Sequence, residues 1–231
     1  MKVLSWENSD RLFWLGRYSE RVYSTIKFFS NKFDSMIDLE NYEYEEFCKS
    51  QEIPNIYESK KDFTERYCFS AEDPNSIYSN LMRTYDNAIM LRDELGSETL
   101  CYIQLAVYAM NKARQSDAPI LGLQKVTDNI MAFWGIIDDT VDESNVRSIV
   151  KLGKRIERID NYARMKMSAE EIRREIKRLN IRITRTGLNY DADKLIRLNW
   201  LVESEELDYK TIIREVESLI SSEKVNLAMV G

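Results

Sequence analysis

The sequence Leu-Gly-Arg-Tyr-Ser-Glu-Arg occupies residues 15–21, and Leu-Gly-Lys-Arg-Ile-Glu-Arg occupies residues 152–158. Both copies read leucine, glycine, a basic residue, two variable positions, glutamate and arginine. Around the first copy, apolar residues such as Leu15, Val22 and Ile26 recur at steps of three, four and seven. This spacing predicts an amphipathic helix. Two matched helices of this kind predict an internal pseudo-two-fold relation, as an ancestral duplication leaves.

The composition of the whole chain also favours an all-α fold. The 231 residues include only 7 glycines and 3 prolines, whereas antiparallel β-structure needs these residues in its many turns. Hydrophobic residues make up 44% and charged residues 31%, as is typical of a globular protein. Connections after residue 70 are short, and no long linker divides the chain. We therefore predict one domain over residues 1–231, an antiparallel helical bundle with two pseudo-symmetric Glu-Arg helices.

Capping and breaking signals place the helices along the chain. Asp73-Pro74 reads as an N-cap followed by proline at the first helical position, and Ser168 with Glu171 reads as a capping box. Residues 38–62 read as an irregular connection with one short helix. The predicted helices cover about residues 9–36, 73–95, 98–115, 117–138, 144–166, 168–187, 191–203 and 208–223.

Several classes of function are disfavoured by the composition. The chain contains no histidine, so Ser-His-Asp catalysis, histidine bases and imidazole metal sites are excluded. The net charge of −6 disfavours nucleic acid as a partner. The longest apolar run, residues 130–137, is too short to span a membrane, and the N-terminus lacks a secretory signal pattern. Three widely spaced cysteines match no zinc motif. We therefore expect a cytoplasmic protein without a membrane partner, metal ion or cofactor.

A polar stripe accompanies the apolar stripe in each repeat. Its members share one helix face because they are three or four residues apart: Arg17, Glu20, Arg21 and Ser24 in the first copy, and Lys154, Glu157, Arg158 and Asn161 in the second. If the helices cross at their glycines, Glu20 can meet Arg158 while Glu157 meets Arg21. Two interpretations remain open at this stage. The ion pairs fix the register of the helices, or they line a polar cavity that binds an anionic or zwitterionic ligand.

The paired segments resemble the alpha-E family, which is named for an α-helical domain with a repeated Glu-Arg motif. Two further stretches carry the resemblance: Asn87-Ala88 with Leu91-Arg92-Asp93 and Ser97-Glu98, and Phe133-Trp134-Gly135 through Thr140. The four elements cover most of residues 5–165 in the order expected for the family. The sequence departs from the family pattern at Ile89, where arginine is usual, at Leu100, where an aromatic residue is common, and at Lys154, where arginine is usual.

The resemblance implies a bacterial cytosolic protein whose family members are encoded beside circularly permuted ATP-grasp proteins and transglutaminase-like peptidases. The leading hypothesis is an accessory or binding subunit of a system that modifies peptides at amide bonds, with an ATP-grasp or transglutaminase-like protein as its partner. Its central polar site is predicted to contain Arg17, Glu20, Arg21, Arg92, Asp93, Glu98, Lys154, Glu157 and Arg158.

Two alternatives assign a reaction or a metal-dependent ligand to the chain. In the first, the carboxylates act as acid and base on a peptide or amino-acid substrate that the arginines hold. In the second, Asp138, Asp139 and Asp142 have the Asp-Asp-x-x-Asp spacing with which class I isoprenoid synthases bind magnesium ions and a diphosphate. No second metal motif follows it, and these aspartates coincide with a predicted helix end.

A basic amphipathic segment lies at residues 171–185. Ile172, Ile176, Leu179 and Ile183 form its apolar stripe, and six arginines and lysines surround it. Such a helix is typical of a solvated face on a bundle, and it can also dock RNA, an acidic lipid surface or an acidic protein. In an acidic chain, an acidic protein partner is the preferred hypothesis.

Overall fold

The computed structural model describes residues 4–38, 44–204 and 206–220. Within these residues the chain forms eleven α-helices and no β-strand, with one isolated antiparallel bridge between Tyr190 and Ile220. The helices are α1 (Trp6–Asp38), α2 (Tyr44–Gln51), α3 (Lys60–Phe69), α4 (Ile77–Met90), α5 (Arg92–Leu95), α6 (Ser97–Arg114), α7 (Pro119–Thr140), α8 (Ser144–Arg164), α9 (Ala169–Ile183), α10 (Ala192–Leu201) and α11 (Tyr209–Glu217).

The two repeat helices, α1 and α8, lie at the centre of the bundle and pack against each other. Helix α1 also contacts α4 and α7, while α8 also contacts α9 and α11. The apolar stripes of both helices are fully buried, as shown by Leu15 and Val22 on α1 and by Ile156 on α8. The predicted all-α fold is confirmed. It follows from periodic apolar faces that must be buried against other helices.

Several predicted helix starts are confirmed. Pro119 lies in the first turn of α7, where the missing N–H of proline breaks no helical hydrogen bond. Ser168 and Glu171 form the predicted capping box: the serine hydroxyl accepts from the Glu171 backbone N–H, and the glutamate carboxylate accepts from the Ser168 backbone N–H. The local sequence pattern therefore predicted the starts of α7 and α9 correctly.

The predicted start at Asp73-Pro74 is wrong, because Ser76 caps α4 by accepting a hydrogen bond from the Ser79 backbone N–H. The Asp73 carboxylate has other partners. It accepts from the buried Tyr57 hydroxyl at 2.6 Å and from the Asn75 backbone N–H at 2.9 Å, which forms a local turn before the helix.

The continuous helix predicted over residues 73–95 is interrupted at Leu91, which is buried between α4 and the short helix α5. Helix α3 was not predicted, because residues 60–69 are rich in charge and aromatic residues and lack a clean apolar period. Helix α11 ends at Glu217 rather than near residue 223, and residues 221–223 of that prediction lie outside the described part of the chain.

Candidate functional site

The crossing of α1 and α8 brings two helix backbones into direct contact at the repeated glycines. A Cβ atom on Gly16 would lie 2.1 Å from the Val150 carbonyl oxygen, and one on Gly153 would lie 2.1 Å from the Phe13 carbonyl oxygen. Neither position can hold a side chain without moving the opposite backbone. The close approach explains why both copies have glycine, a residue that is unfavourable in the interior of a helix.

The crossing places Glu157 of α8 between two guanidinium groups of α1. Arg17 Nε donates to the carboxylate at 2.7 Å, and Arg21 donates through Nε at 2.5 Å and Nη2 at 3.2 Å. The Glu157 side chain is fully buried. Burial opposes its charge, yet Arg21 and Arg17 outweigh that effect and hold the pKa of Glu157 below its ordinary value.

The opposite pair joins Glu20 of α1 to Arg158 of α8. Arg158 donates through Nε and Nη2 to the two carboxylate oxygens, each at 2.7 Å, and the Ser24 hydroxyl donates to Oε1 at 2.6 Å. Burial opposes the charge of Arg158, but Glu20 raises its pKa above the ordinary value. The predicted pairs, Glu20 with Arg158 and Glu157 with Arg21, are therefore confirmed. The pseudo-two-fold relation predicted for the two Glu-Arg helices stays a prediction.

The two halves of the crossing differ at the basic position of the repeat. Arg17 binds Glu157, whereas its counterpart Lys154 places its ammonium 3.1 Å from the centroid of the Trp134 ring. Burial lowers the pKa of Lys154 to about 7, against the pull of Glu20 and with the help of Arg158. Lys154 lies in a cleft lined by residues of α7, α8 and α9.

Three predicted site residues do not join this buried cluster. Arg92, Asp93 and Glu98 are all exposed, on α5 and in the first turn of α6. Arg92 donates instead to the Ser97 hydroxyl at 3.1 Å. The break at Leu91 and the positive φ of 81° at Gly96 turn this segment, which removes the helical phase that the prediction assumed.

A polar cavity of about 220 Å³ lies beside the crossing, toward the C-terminal end of α8. It contacts Arg21 and Glu157 of the predicted site. It also contains residues that the prediction missed, among them Gln51, Glu52, Asp160, Asn161, Arg164 and Glu217. A signal for α8 was present, since positions 157, 160, 161 and 164 continue the polar stripe at steps of three and four. The residues from α2 and α11 carried no such signal.

Asp160 and Arg164 form the ionic wall of this cavity. Arg164 Nε donates to the two Asp160 oxygens at 3.1 and 3.2 Å, Nη1 donates to Glu52 at 2.6 Å, and Nη2 donates to Glu217 at 2.8 Å. Burial and the charge of Glu157 raise the pKa of Asp160 to about 6, despite the neighbouring Arg164. One guanidinium thus serves three carboxylates, and the Asp160 carboxyl titrates near neutral pH.

The aspartate run at the end of α7 is not arranged as a metal site. Asp138 forms an ion pair with Lys151, and Asp142 lies beyond the helix end at Thr140. In the parts of the chain that the structure describes, no three acidic, cysteine or histidine side chains come together around a possible metal ion. The diphosphate hypothesis therefore gains no support from this geometry.

A sequence model of the alpha-E family, described as a predicted alpha-helical domain with a conserved ER motif, matches residues 8–205. The chain belongs to the alpha-E family. The match covers both Glu-Arg helices, so the buried ion pairs of this alpha-E domain are formed by the motif that gives the family its description. No curated protein and no solved structure matches the chain. Among the described residues of this alpha-E domain, no helix is both long and apolar enough to cross a membrane.

Proposed function

We propose that this alpha-E domain is an accessory, binding subunit of an ATP-grasp-linked system that modifies peptides at amide bonds. The supporting observation is that Glu20 and Glu157 are each held by guanidinium groups at hydrogen-bond distance. A carboxylate held in this way is a poor proton acceptor, and the pKa of Glu157 is lowered accordingly. The motif is therefore better suited to hold α1 and α8 together in a scaffold than to transfer protons.

The basic helix α9 is the surface that we assign to the partner. Its apolar stripe packs onto the bundle, and Glu175 is buried between Arg155 and Arg178 at 2.6 Å from each. Lys177 and Arg185 are exposed. Positive charge on one face of an acidic chain favours the approach of an acidic partner surface.

The test is purification of the tagged chain from the cells that make it, with the co-purifying proteins identified by mass spectrometry. We expect an ATP-grasp or transglutaminase-like protein in stoichiometric amount. A variant that carries Lys177→Glu and Arg185→Glu should lose this partner, because one positive charge on α9 and one just beyond its end at Ile183 become negative.

The matched control carries Lys60→Glu and Lys61→Glu, the same change of charge at two exposed lysines of α3. It should retain the partner. Recovery of the chain alone, under conditions in which both proteins are present, contradicts the accessory role. Equal loss of the partner in both variants contradicts the assignment of the surface to α9.

A second candidate function, an enzyme acting on peptides or amino acids, is favoured by Asp160. Its carboxyl lies in the cavity beside the crossing, and its pKa of about 6 suits a general acid or base at neutral pH. The test is incubation of the purified chain with a peptide mixture, followed by mass spectrometry. New or cleaved amide bonds that disappear in Asp160→Asn support the enzyme, and an unchanged mixture contradicts an activity of the chain alone.

A further inference from the structure

The cavity beside the crossing arises where the two repeats differ. In the first copy the Ser24 hydroxyl donates to Glu20 at 2.6 Å and completes the ion pair. At the corresponding position of the second copy stands Asn161, whose side chain lines the cavity instead. Asn161 therefore does not complete an ion pair through its Nδ2 as the Ser24 hydroxyl does in the first copy.

Two amide nitrogens that line this cavity have no hydrogen-bond partner among the described residues. Asn161 is 3% exposed, and its Nδ2 forms no hydrogen bond within the described residues. Gln51, at the end of α2, also lines the cavity, and its buried Nε2 is likewise unpartnered there. Buried N–H donors are nearly always paired, because an unpaired one loses its hydration without compensation. An acceptor oxygen inside the cavity would therefore satisfy both amide donors.

The cavity has an excess of negative charge, which favours the binding of a cation. Four carboxylates line the cavity, from Glu52, Glu157, Asp160 and Glu217, and three guanidinium groups pair with them, those of Arg17, Arg21 and Arg164. Asp160 is 4% exposed and shares Arg164 with two other carboxylates. A positively charged group placed against Asp160 would reduce the repulsion among these acids.

We propose that this cavity binds a primary ammonium next to a carbonyl or carboxylate oxygen, as found in a free amino acid or a peptide amino terminus. The ammonium pairs with Asp160, and the oxygen accepts from the amides of Asn161 and Gln51. Both groups of the ligand must be close together, because Asp160 and Asn161 line the same cavity of about 220 Å³. The inference goes beyond the accessory role and does not depend on it.

The size of the cavity limits the ligand. A volume of about 220 Å³ lies below the ~300–1,000 Å³ of sites for drug-sized ligands. A small amino acid, or the first residue of a peptide, matches this space. A folded protein segment does not.

The test is isothermal titration calorimetry of the full chain with three probes. L-alanine carries the ammonium and a carboxylate, L-alaninamide carries the ammonium and an amide oxygen, and N-acetyl-L-alanine lacks the ammonium. We expect L-alanine, L-alaninamide or both to bind with a Kd below about 1 mM. N-acetyl-L-alanine should bind at least about tenfold more weakly, because it cannot form the charge-assisted hydrogen bond between the ammonium and Asp160.

Variants connect the binding to the cavity. Asp160→Asn removes the charge that meets the ammonium, and Gln51→Leu removes one of the two unpartnered donors. Each should weaken binding by about tenfold or more. Asp138→Asn makes the same chemical change at a carboxylate outside the cavity and should bind as the natural chain does. Far-UV circular dichroism verifies that each variant is folded.

The outcomes are distinct. Preference for L-alanine identifies a free amino acid as the source of the shared chemistry, and preference for L-alaninamide identifies a peptide amino terminus. Equal binding of N-acetyl-L-alanine, or no binding of either amine probe, overturns the inference. Capture of the ATP-grasp or transglutaminase-like partner by Asp160→Asn is a separate readout, so failure of the ligand site and failure of the accessory role are distinguishable.

Discussion

Glu157 illustrates how far the crossing depends on single groups. Its carboxylate is fully buried, and it is stable there because Arg17 and Arg21 supply three hydrogen bonds and two positive charges. A buried ion pair adds little net stability compared with apolar packing, but its disruption is costly, since the remaining charge has no water to solvate it.

Replacement of Glu157 by glutamine should therefore lower the free energy of unfolding by about 3–5 kcal/mol, because the buried Arg17 and the half-buried Arg21 lose their counter-charge. Urea unfolding followed by circular dichroism measures the change. Glu65→Gln is the matched control: Glu65 forms an exposed pair with Lys61 at 3.9 Å and should change stability by less than about 1 kcal/mol. A loss below about 1 kcal/mol in Glu157→Gln would show that the pair does not hold the crossing.

Replacement of Asp160 should raise the free energy of unfolding, whereas replacement of Glu157 lowers it. Its pKa is raised from the model-peptide range to about 6, so the folded state favours the protonated form. The favourable contribution of the protonated carboxyl to the free energy of unfolding is complete below about pH 3.9. It is lost as the pH rises through 6. Asp160→Asn should thus be more stable than the natural chain by about 1–3 kcal/mol at pH 7, with no gain at pH 3.5.

Urea unfolding at pH 3.5, 5, 6 and 7 tests this prediction, with Asp139→Asn as a control at an exposed aspartate. A gain that is the same at every pH would mean that packing, rather than titration of Asp160, causes it. A variant that is less stable at pH 7 would mean that the bond to Arg164 outweighs the cost of burying the charge.

At the scale of helices, the contact between α1 and α8 depends on the absence of two Cβ atoms. Gly16→Ala should lower the free energy of unfolding by about 2–3 kcal/mol or more, because the new methyl group meets the Val150 carbonyl. Thermal and urea unfolding measure the loss.

Gly135 of α7 provides the matched control, since a Cβ atom there has no neighbour within 4 Å. Gly135→Ala should stabilise the chain by about 0.5–1 kcal/mol through the higher helix propensity of alanine. Equal effects of the two substitutions would contradict the close approach at Gly16.

The helices also show which parts of the fold could be predicted. The crossing and its ion pairs were predictable because the repeat places glycine, glutamate and arginine on one face in both copies. The positions of Arg92 and Glu98 were not, since the buried Leu91 ends α4 for reasons of tertiary packing. The cavity residues were only partly predictable. Those on α8 continue the polar stripe, but Gln51 and Glu217 come from helices that are distant in sequence and meet only in the fold.

At the scale of the molecule, Arg164 connects three separate parts of the chain. Its guanidinium joins α8 to Glu52 after α2 and to Glu217 at the end of α11. Arg164→Ala should loosen both attachments while the crossing, which lies elsewhere on α8, stays intact.

Hydrogen exchange measured by mass spectrometry tests this expectation. Backbone amides of α2 and α11 should exchange faster in Arg164→Ala, with little change in α6 and α7. Arg147→Ala, which removes an arginine at the start of α8, is the control and should leave α2 and α11 unchanged. Faster exchange throughout the bundle would mean that Arg164 supports the whole fold rather than two attachments.

The reciprocal contacts at the crossing also have an evolutionary consequence. Each Glu-Arg segment supplies the partner of the other: Glu20 pairs with Arg158, and Glu157 pairs with Arg21. A substitution in one copy is tolerated only with a compensating substitution in the other. Across alpha-E sequences, positions 20 and 158 should therefore covary, as should 21 and 157, while positions 16 and 153 lose their glycines only together.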